Sequence, residues 1–113
     1  MKIVEGDKFQ KDFKRLLKKY KTLQEDFEVA KKAIQVEPTG DGSKHWNILR
    51  EKDNKYILKM RMMCRTLRGS ELRLIYFYDG DTVEVVFIEV YYKGNKEREN
   101  KKRIQDICDI FMM

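Results

Sequence analysis

Apolar and polar residues alternate along the middle of the chain, and this alternation predicts three consecutive β-strands. The strands cover residues 56–65, 72–78 and 82 to about 92. A loop over residues 66–70 joins the first two, and Asp79-Gly80 gives a strong hairpin signal between the last two. Strands with such short connections pair antiparallel. Residues 1–5 could add a short edge strand, and residues 45–51 another short strand that leads into the first.

Apolar residues spaced three and four apart predict two helices before these strands and one after them. The first helix begins near Asp7, and its apolar positions are Phe9, Phe13, Leu16, Leu17 and Tyr20. The second begins at the capping box Thr22–Glu25 and ends before Pro38, because proline disfavours a helical residue ahead of it. The apolar positions of the C-terminal helix are Ile104, Ile107, Cys108 and Phe111.

Together these elements predict an α+β fold in a single domain over residues 1–113. An N-terminal helical hairpin packs on a small, mainly antiparallel twisted sheet of three to four strands, and a short C-terminal helix follows. The hairpin covers one face of the sheet. The other face is then partly open, or covered by the C-terminal helix.

The charge of the chain favours an anionic partner. It has 25 Lys and Arg against 19 Asp and Glu, which gives a formal net charge of +6. Nucleic acid, an acidic protein or a membrane surface would each be attracted. Residues 41–70 hold eight Lys or Arg against three Asp or Glu, so the excess is local. Because no signal peptide and no apolar run of about 20 residues is present, we expect a cytoplasmic protein without a membrane partner. The two cysteines are expected to be buried free thiols.

The first predicted strand carries cations on one face. Side chains of a strand alternate between faces, so Lys59, Arg61 and Arg65 point the same way. On the second strand, the residues that share a face are Glu71, Arg73, Ile75 and Phe77. On the third strand, one face holds Glu89, Tyr91 and Lys93, and the other holds Val86, Ile88, Val90 and Tyr92.

Hairpin pairing would bring Lys59, Arg61 and Arg73 together, although the sequence does not fix the register. Arginine suits phosphate because its guanidinium group donates two parallel hydrogen bonds. Such a site could cleave RNA without metal, with the 2′-hydroxyl attacking the adjacent phosphate. A lysine with a lowered pKa could remove that proton, and a tyrosine or second lysine could protonate the leaving oxygen. Alternatively, the cations could line a solvated face, and Arg73 could pair with Glu71 or Glu89.

Other chemistries have less support in the sequence. The single histidine, His45, is more typical of packing or of the surface than of catalysis. No Cys/His cluster has metal-ligand spacing, and Gly40-Asp-Gly42 does not resemble a phosphate loop. We therefore expect neither a metal site nor a small-molecule cofactor.

The strand motifs Lys59-Met-Arg61, Leu72-Arg73-Leu-Ile-Tyr76 and the ending Tyr91-Tyr-Lys93-Gly-Asn-Lys96-Glu97 resemble the RelE/ParE superfamily of bacterial toxins, in particular its RelE- and HigB-like branch. The order of the elements is similar over about residues 7–105. The resemblance implies a toxin of a type II toxin–antitoxin pair that enters the ribosomal A site and cuts messenger RNA. Its partners would be the ribosome, the message and a cognate acidic antitoxin.

The resemblance also implies roles for individual residues. The basic strand of the family matches Lys59 and Arg61, its strand arginine matches Arg73, and its later basic residue matches Lys93 or Lys96. The general acid has no clear match, so the candidates by position are Tyr92 and Tyr91. Further contacts to nucleic acid would come from Lys14, Lys18, Arg65 and Arg68. A ParE-like DNA gyrase poison and a non-catalytic binding member of the same fold are the alternatives, and the basic strand favours the nuclease.

Overall fold

The computed structural model describes residues 1–68 and 71–113. Its strands are β1 (Lys2–Glu5), β2 (Trp46–Lys52), β3 (Lys55–Met63), β4 (Glu71–Asp79) and β5 (Glu84–Tyr92). Its α-helices are α1 (Asp7–Leu17), α2 (Leu23–Val36) and α3 (Lys101–Phe111), and a short 3-10 helix covers Arg65–Leu67. Gly69 and Ser70, which belong to the predicted loop over residues 66–70, lie outside the described residues.

The described strands form one mixed sheet in the order β1-β5-β4-β3-β2. The pairs β2–β3, β3–β4 and β4–β5 are antiparallel, whereas β1 runs parallel to β5. The predicted α+β class is confirmed. The sheet has five described strands rather than three to four, because β1 and β2 both pair at its edges.

Helices cover the two faces of the sheet unequally. Helices α1 and α2 pack on one face, which we call the hairpin face, through a cluster of Phe9, Phe27 and Phe87 with ring centroids 4.9–5.4 Å apart. Helix α3 packs on the opposite face, where Ile104 is buried and Phe111 stacks on Phe77 at 5.0 Å. Because α3 spans only one end of that face, the other end stays open.

A β-bulge in β5 changes which side chains share a face. Ile75 pairs with Glu89 and Tyr76 pairs with Phe87, so Ile88 is the extra residue. Strict alternation predicts that Ile88 shares a face of the sheet with Val90 and Tyr92, and this prediction is wrong. Ile88 packs on the α3 face, while Val90 and Tyr92 turn to the hairpin face. Glu89 and Tyr91 thereby point to the same side as Arg73.

A buried ion pair holds this bulged strand at its free edge. Strand β1 pairs with β5 only as far as Phe87. The backbone groups of β5 that follow Phe87 and point away from β4 therefore need other partners. Arg103 Nη1 donates to the Ile88 carbonyl oxygen at 3.1 Å, and the Val90 N–H donates to Asp12 Oδ2 at 3.4 Å. Arg103 also binds Asp12 through two contacts of 2.6 and 3.1 Å. This bond raises the pKa of Arg103 and links α1 to α3 around the strand edge.

The predicted strand over residues 56–65 extends too far. Strand β3 ends at Met63, and Arg65 lies in the 3-10 helix. Its backbone N–H and Nε donate to Asp26 of α2 at 3.1 and 2.8 Å, and Glu25 binds the same guanidinium group. These carboxylates turn Arg65 away from the face that carries Lys59 and Arg61. The prediction that all three cations share one face is therefore wrong for Arg65.

We predict that Asp12→Ala destabilises the fold by about 3–5 kcal/mol, because it leaves the half-buried Arg103 without its partner. The free energy of unfolding in urea measures the loss. Arg15→Ala is the matched control: Arg15 also contacts Asp12, at 3.4 Å, but its side chain is 69% exposed. That variant should lose less than about 1 kcal/mol. Equal losses in both variants would contradict the structural role of the Asp12–Arg103 pair.

The ionised carboxylate of Asp26 should make a pH-dependent contribution to the free energy of unfolding. Burial by itself raises the pKa of Asp26, but hydrogen bonds from Thr22 and Arg65 outweigh it and lower the pKa below 3.8. The contribution is therefore fully present above pH 3.8 and is lost as the pH falls through the lowered value.

We expect Asp26→Asn to be less stable than the parent chain by about 1.5–3 kcal/mol at about pH 7, the magnitude of hydrogen bonds to a charged group. The difference should shrink as the pH falls below 3.8 and the folded carboxylate becomes protonated as well. Urea unfolding of both proteins across this range checks it. A difference that does not change with pH would show that the ionised carboxylate is not the source.

Candidate functional site

Strand register brings two arginines side by side at the open end of the α3 face. Arg61 of β3 lies directly opposite Arg73 of β4, and Arg73 lies opposite Tyr91 of β5. Directly opposed side chains on one face have Cβ atoms roughly 5 Å apart. The expectation that Arg61 and Arg73 converge on one side of the sheet is confirmed. Lys59 follows one row further along the same face, opposite Ile75.

In the described part of the chain, neither Arg61 nor Arg73 forms an ion pair with a carboxylate. Within residues 1–68 and 71–113, the ion pairs that arginines form involve Arg15, Arg65 and Arg103. Arg73 Nη1 donates a long hydrogen bond of 3.5 Å to the Glu71 carbonyl oxygen. Like charges directly opposite each other destabilise a sheet. An anionic ligand between Arg61 and Arg73 would relieve that repulsion.

These side chains border a small polar depression of about 160 Å³, which we call the basic cleft. Its cations are Lys44, Lys59, Arg61, Arg73 and Lys93, and its other lining residues are His45, Asn47, Tyr91 and Glu97. Sites for drug-sized molecules usually enclose about 300–1,000 Å³. The cleft therefore fits a small anion, such as one phosphate group whose substituents extend into solvent.

Tyr91 supplies a proton donor beside the arginines. The side chain is buried, and burial raises its pKa to about 12, helped by the carboxylates of Glu99 and Glu89 and opposed by Arg73. The phenol thus stays protonated at neutral pH. Lys96 Nζ lies 5.5 Å from the centroid of the Tyr91 ring.

Tyr92, the other tyrosine that the sequence offers as a candidate acid, lies on the opposite side of the sheet. The Ile88 bulge turns it to the hairpin face, where its ring contacts Tyr20 at a centroid distance of 6.3 Å. The ring also lies over Gly94, where an added Cβ would come within 2.4 Å of it. Tyr92 therefore packs the turn after β5, and Tyr91 takes the position in the cleft.

The two basic candidates after β5 have different surroundings. Lys93 lines the basic cleft, whereas Lys96 forms an ion pair with the buried carboxylate of Glu89. Glu89 also accepts a hydrogen bond of 2.7 Å from the Asn100 backbone N–H. The ion pair of Lys96 with Glu89 therefore holds the segment over residues 93–100 in place. Lys93 is left as the cation after β5 that can contact a ligand in the cleft.

Lys59 is held by a carboxylate of the same segment. Its Nζ donates to Glu99 Oε1 at 2.9 Å. Burial by itself raises the pKa of Glu99, but the hydrogen bond and charge of Lys59 outweigh it, so the net pKa is lowered. Glu99 is therefore ionised at neutral pH and neutralises one of the five cations of the cleft.

The predicted nucleic-acid contacts lie away from the cleft. Lys14 and Lys18 belong to α1 and its C-terminal end, on the hairpin face. Arg65 is bound to α2 by Asp26 and Glu25, as described above. Arg68 is exposed and follows the 3-10 helix with a φ of 51°. The structure thus gathers Lys59, Arg61, Arg73 and Lys93, and leaves the remaining basic candidates elsewhere.

The cleft also contains residues that the sequence did not single out as site residues. The carbonyl oxygen of His45 accepts a 2.8 Å hydrogen bond from the Arg61 N–H, which sets the imidazole at the rim, 3.8 Å from Glu71. Asn47 pairs across the strands with Lys59. No local pattern identifies these residues, because their position depends on how β2 pairs with β3.

Chemically, the basic cleft combines paired guanidinium groups, a protonated phenol and an imidazole. That set can bind a phosphate and exchange protons with it. Within residues 1–68 and 71–113, no three His, Cys, Asp or Glu side chains are grouped so that they could hold a metal ion. Cys64 and Cys108 are free and pack on opposite faces of the sheet.

Comparisons with known protein families, with curated proteins and with solved structures give no match to this chain. In the described part of the chain, no helix combines the length and the apolar character that a bilayer crossing requires.

We predict that Arg61→Gln leaves the stability of the free protein unchanged or raises it by up to about 1 kcal/mol, because it removes a like-charge pair. The same variant should lose most of the rise in melting temperature that inorganic phosphate gives to the parent chain. Thermal unfolding with and without phosphate measures both effects. Arg68→Gln, which removes an exposed charge away from the cleft, serves as the control and should keep the phosphate response. A response that survives Arg61→Gln undiminished would exclude the cleft as the phosphate site.

Proposed function

We propose that this chain is a RelE-like toxin of the RelE/ParE superfamily, acting in the cytoplasm as an endoribonuclease. Its substrate is messenger RNA in the ribosomal A site, and cleavage stops translation. The observation that carries the proposal is the unneutralised Arg61–Arg73 pair beside the protonated phenol of Tyr91. The motif resemblance described for the sequence supplies the ribosome and the message as the target.

The arginine pair suits the transition state of phosphodiester cleavage. Negative charge on the phosphate oxygens increases as the pentavalent state forms, so donors fixed in advance favour that state over the ground state. Arg61 and Arg73 extend from neighbouring strands of a sheet, which fixes the positions of their backbones relative to each other. Lys93 adds a further positive charge at the border of the cleft.

The proposed reaction is a transesterification that needs no metal. The 2′-oxygen forms a bond to phosphorus while the bond from phosphorus to the 5′-oxygen breaks. The products are a 2′,3′-cyclic phosphate and a 5′-hydroxyl end. The proton of the 2′-hydroxyl passes to a base, and the leaving 5′-oxygen receives one from an acid.

Tyr91 is the proposed general acid. Its phenol is protonated at neutral pH and lies on the same face as Arg73, directly across from it. His45 is the proposed base, because its imidazole is partly exposed at the rim of the cleft and carries a ring nitrogen that can act as an acceptor. The chemistry of RNA cleavage also allows a lysine as the base, but the ammonium group of Lys59 is bound to Glu99, so we assign Lys59 to binding.

The proposed regulatory partner is an acidic antitoxin. The net charge of +6 favours association with an acidic protein, and the rate of such association falls as salt increases. The alternatives are a ParE-like poison of DNA gyrase and a non-catalytic binding member of the fold. Messenger RNA would stay intact in cells that express either alternative, whereas the nuclease would cleave it.

We predict that Tyr91→Phe reduces message cleavage by about 10²–10⁴-fold, the usual contribution of a general acid, while binding to ribosomes is retained. Cleavage is mapped by sequencing the 5′-hydroxyl ends of messages after induction, and growth is recorded in parallel. Tyr92→Phe is a matched control, because it removes the same hydroxyl group from the neighbouring residue on the other face of the sheet. It should cleave like the parent chain.

Equal effects of Tyr91→Phe and Tyr92→Phe would contradict the role of Tyr91. Growth arrest with intact messages and an increase in cleaved DNA would instead favour the gyrase poison. Growth arrest that persists unchanged in the triple variant Lys59→Ala/Arg61→Ala/Arg73→Ala would exclude catalysis by the basic cleft.

A further inference from the structure

The segment over residues 93–100 places acidic side chains against the cationic end of the sheet. Glu99 binds Lys59 at 2.9 Å, and Glu97 lines the cleft. The segment has no regular helix or strand, and residues 93–98 are exposed. It is attached beyond the cleft through Glu89, which binds both Lys96 and the Asn100 N–H. The Lys59–Glu99 contact can therefore open without disturbing the buried anchor of the segment.

Lys59 and Arg61 are two residues apart on the same face of β3. Alternate residues of a strand are separated by roughly 6.6 Å. That distance is close to the separation between successive phosphates of an extended nucleic-acid strand. If one phosphate lies between Arg61 and Arg73, the next phosphate of the same strand reaches Lys59. In the free protein, the carboxylate of Glu99 has the position and charge that this second phosphate would have.

We propose that Lys59 forms a second phosphate subsite of the basic cleft and that Glu99 closes this subsite until a nucleic-acid strand displaces it. The inference rests on the proposed function, since it takes RNA as the ligand, but it adds a length requirement. A ligand with one phosphate uses the arginine pair alone. A ligand with two successive phosphates gains the Lys59 contact only by displacing Glu99.

Charge exchange at Lys59 has a measurable consequence. When a phosphate replaces Glu99, one anion takes the place of another, and little counterion release accompanies the exchange. When Glu99 carries no charge, the phosphate neutralises a free ammonium group. For single strands, the logarithm of the binding constant then falls more steeply with the logarithm of salt concentration, by about 0.7 per added contact.

The test measures binding of 2′-O-methyl oligonucleotides, which cannot be cleaved because the attacking hydroxyl is blocked. A dinucleotide supplies one phosphate and a trinucleotide supplies two. Fluorescence anisotropy against salt concentration is compared for the parent chain, Glu99→Gln and Glu97→Gln. Glu97→Gln is the matched control: it removes the same charge from the same segment, but Glu97 does not bind Lys59.

We expect Glu99→Gln to bind the trinucleotide about fivefold more tightly than the parent chain, with a salt slope steeper by about 0.7, and to bind the dinucleotide like Glu97→Gln. Adding Lys59→Gln to Glu99→Gln should abolish the gain. The second subsite would be overturned if both oligonucleotides bind but Glu99→Gln and Glu97→Gln change the affinities and salt slopes equally. The proposed function would still stand in that case. Failure of every protein to bind either oligonucleotide would overturn both.

Discussion

The bulge at Ile88 is the constraint on which the site depends, and the Asp12–Arg103 ion pair holds it in place. One extra residue in β5 reverses the direction of every side chain that follows it in the strand. Tyr91 thereby lies opposite Arg73 instead of facing the hairpin helices. Because the ion pair binds backbone groups on both sides of the bulge and joins α1 to α3, the packing of the helices and the composition of the cleft are coupled.

The α3 face has a covered end and an open end because helix α3 is shorter than the face. Helix α3 is eleven residues long and covers the apolar end of the face. The remaining end carries the cations of the cleft, none of the described helices covers it, and residues in and just before β2 line its rim. Arg61 and Arg73 lie directly opposite each other there, and like charges in that arrangement destabilise a sheet. Around them, Glu89 pairs with Lys96 and Glu99 with Lys59, so Lys44 and Lys93 are the other cations that line the cleft beside the arginine pair.

Local patterns in the sequence are sufficient to predict the helices and the three central strands, because alternation and short connections constrain them. They allow Arg61 and Arg73 to converge, but the register that brings them together is seen only in the structure. The bulge has no such signal: Phe87, Ile88 and Glu89 fit an uninterrupted strand equally well, so the sequence alone does not decide which of Tyr91 and Tyr92 lies in the cleft. Arg65 was assigned to the strand because its capture by Asp26 depends on packing between distant elements. The positions of His45 and Glu99 depend in the same way on tertiary pairing.

The most direct measurement of the central claim is an NMR titration with inorganic phosphate that follows the Nε–Hε signals of the arginines. If the bulged register assembles one anion site, the signals of Arg61 and Arg73 shift together with a common dissociation constant, and the signal of Arg65 stays unchanged. Removing the bulge-holding contact with Asp12→Asn should weaken that binding. Independent shifts of Arg61 and Arg73, or a response as strong at Arg65, would contradict a single site built by strand register.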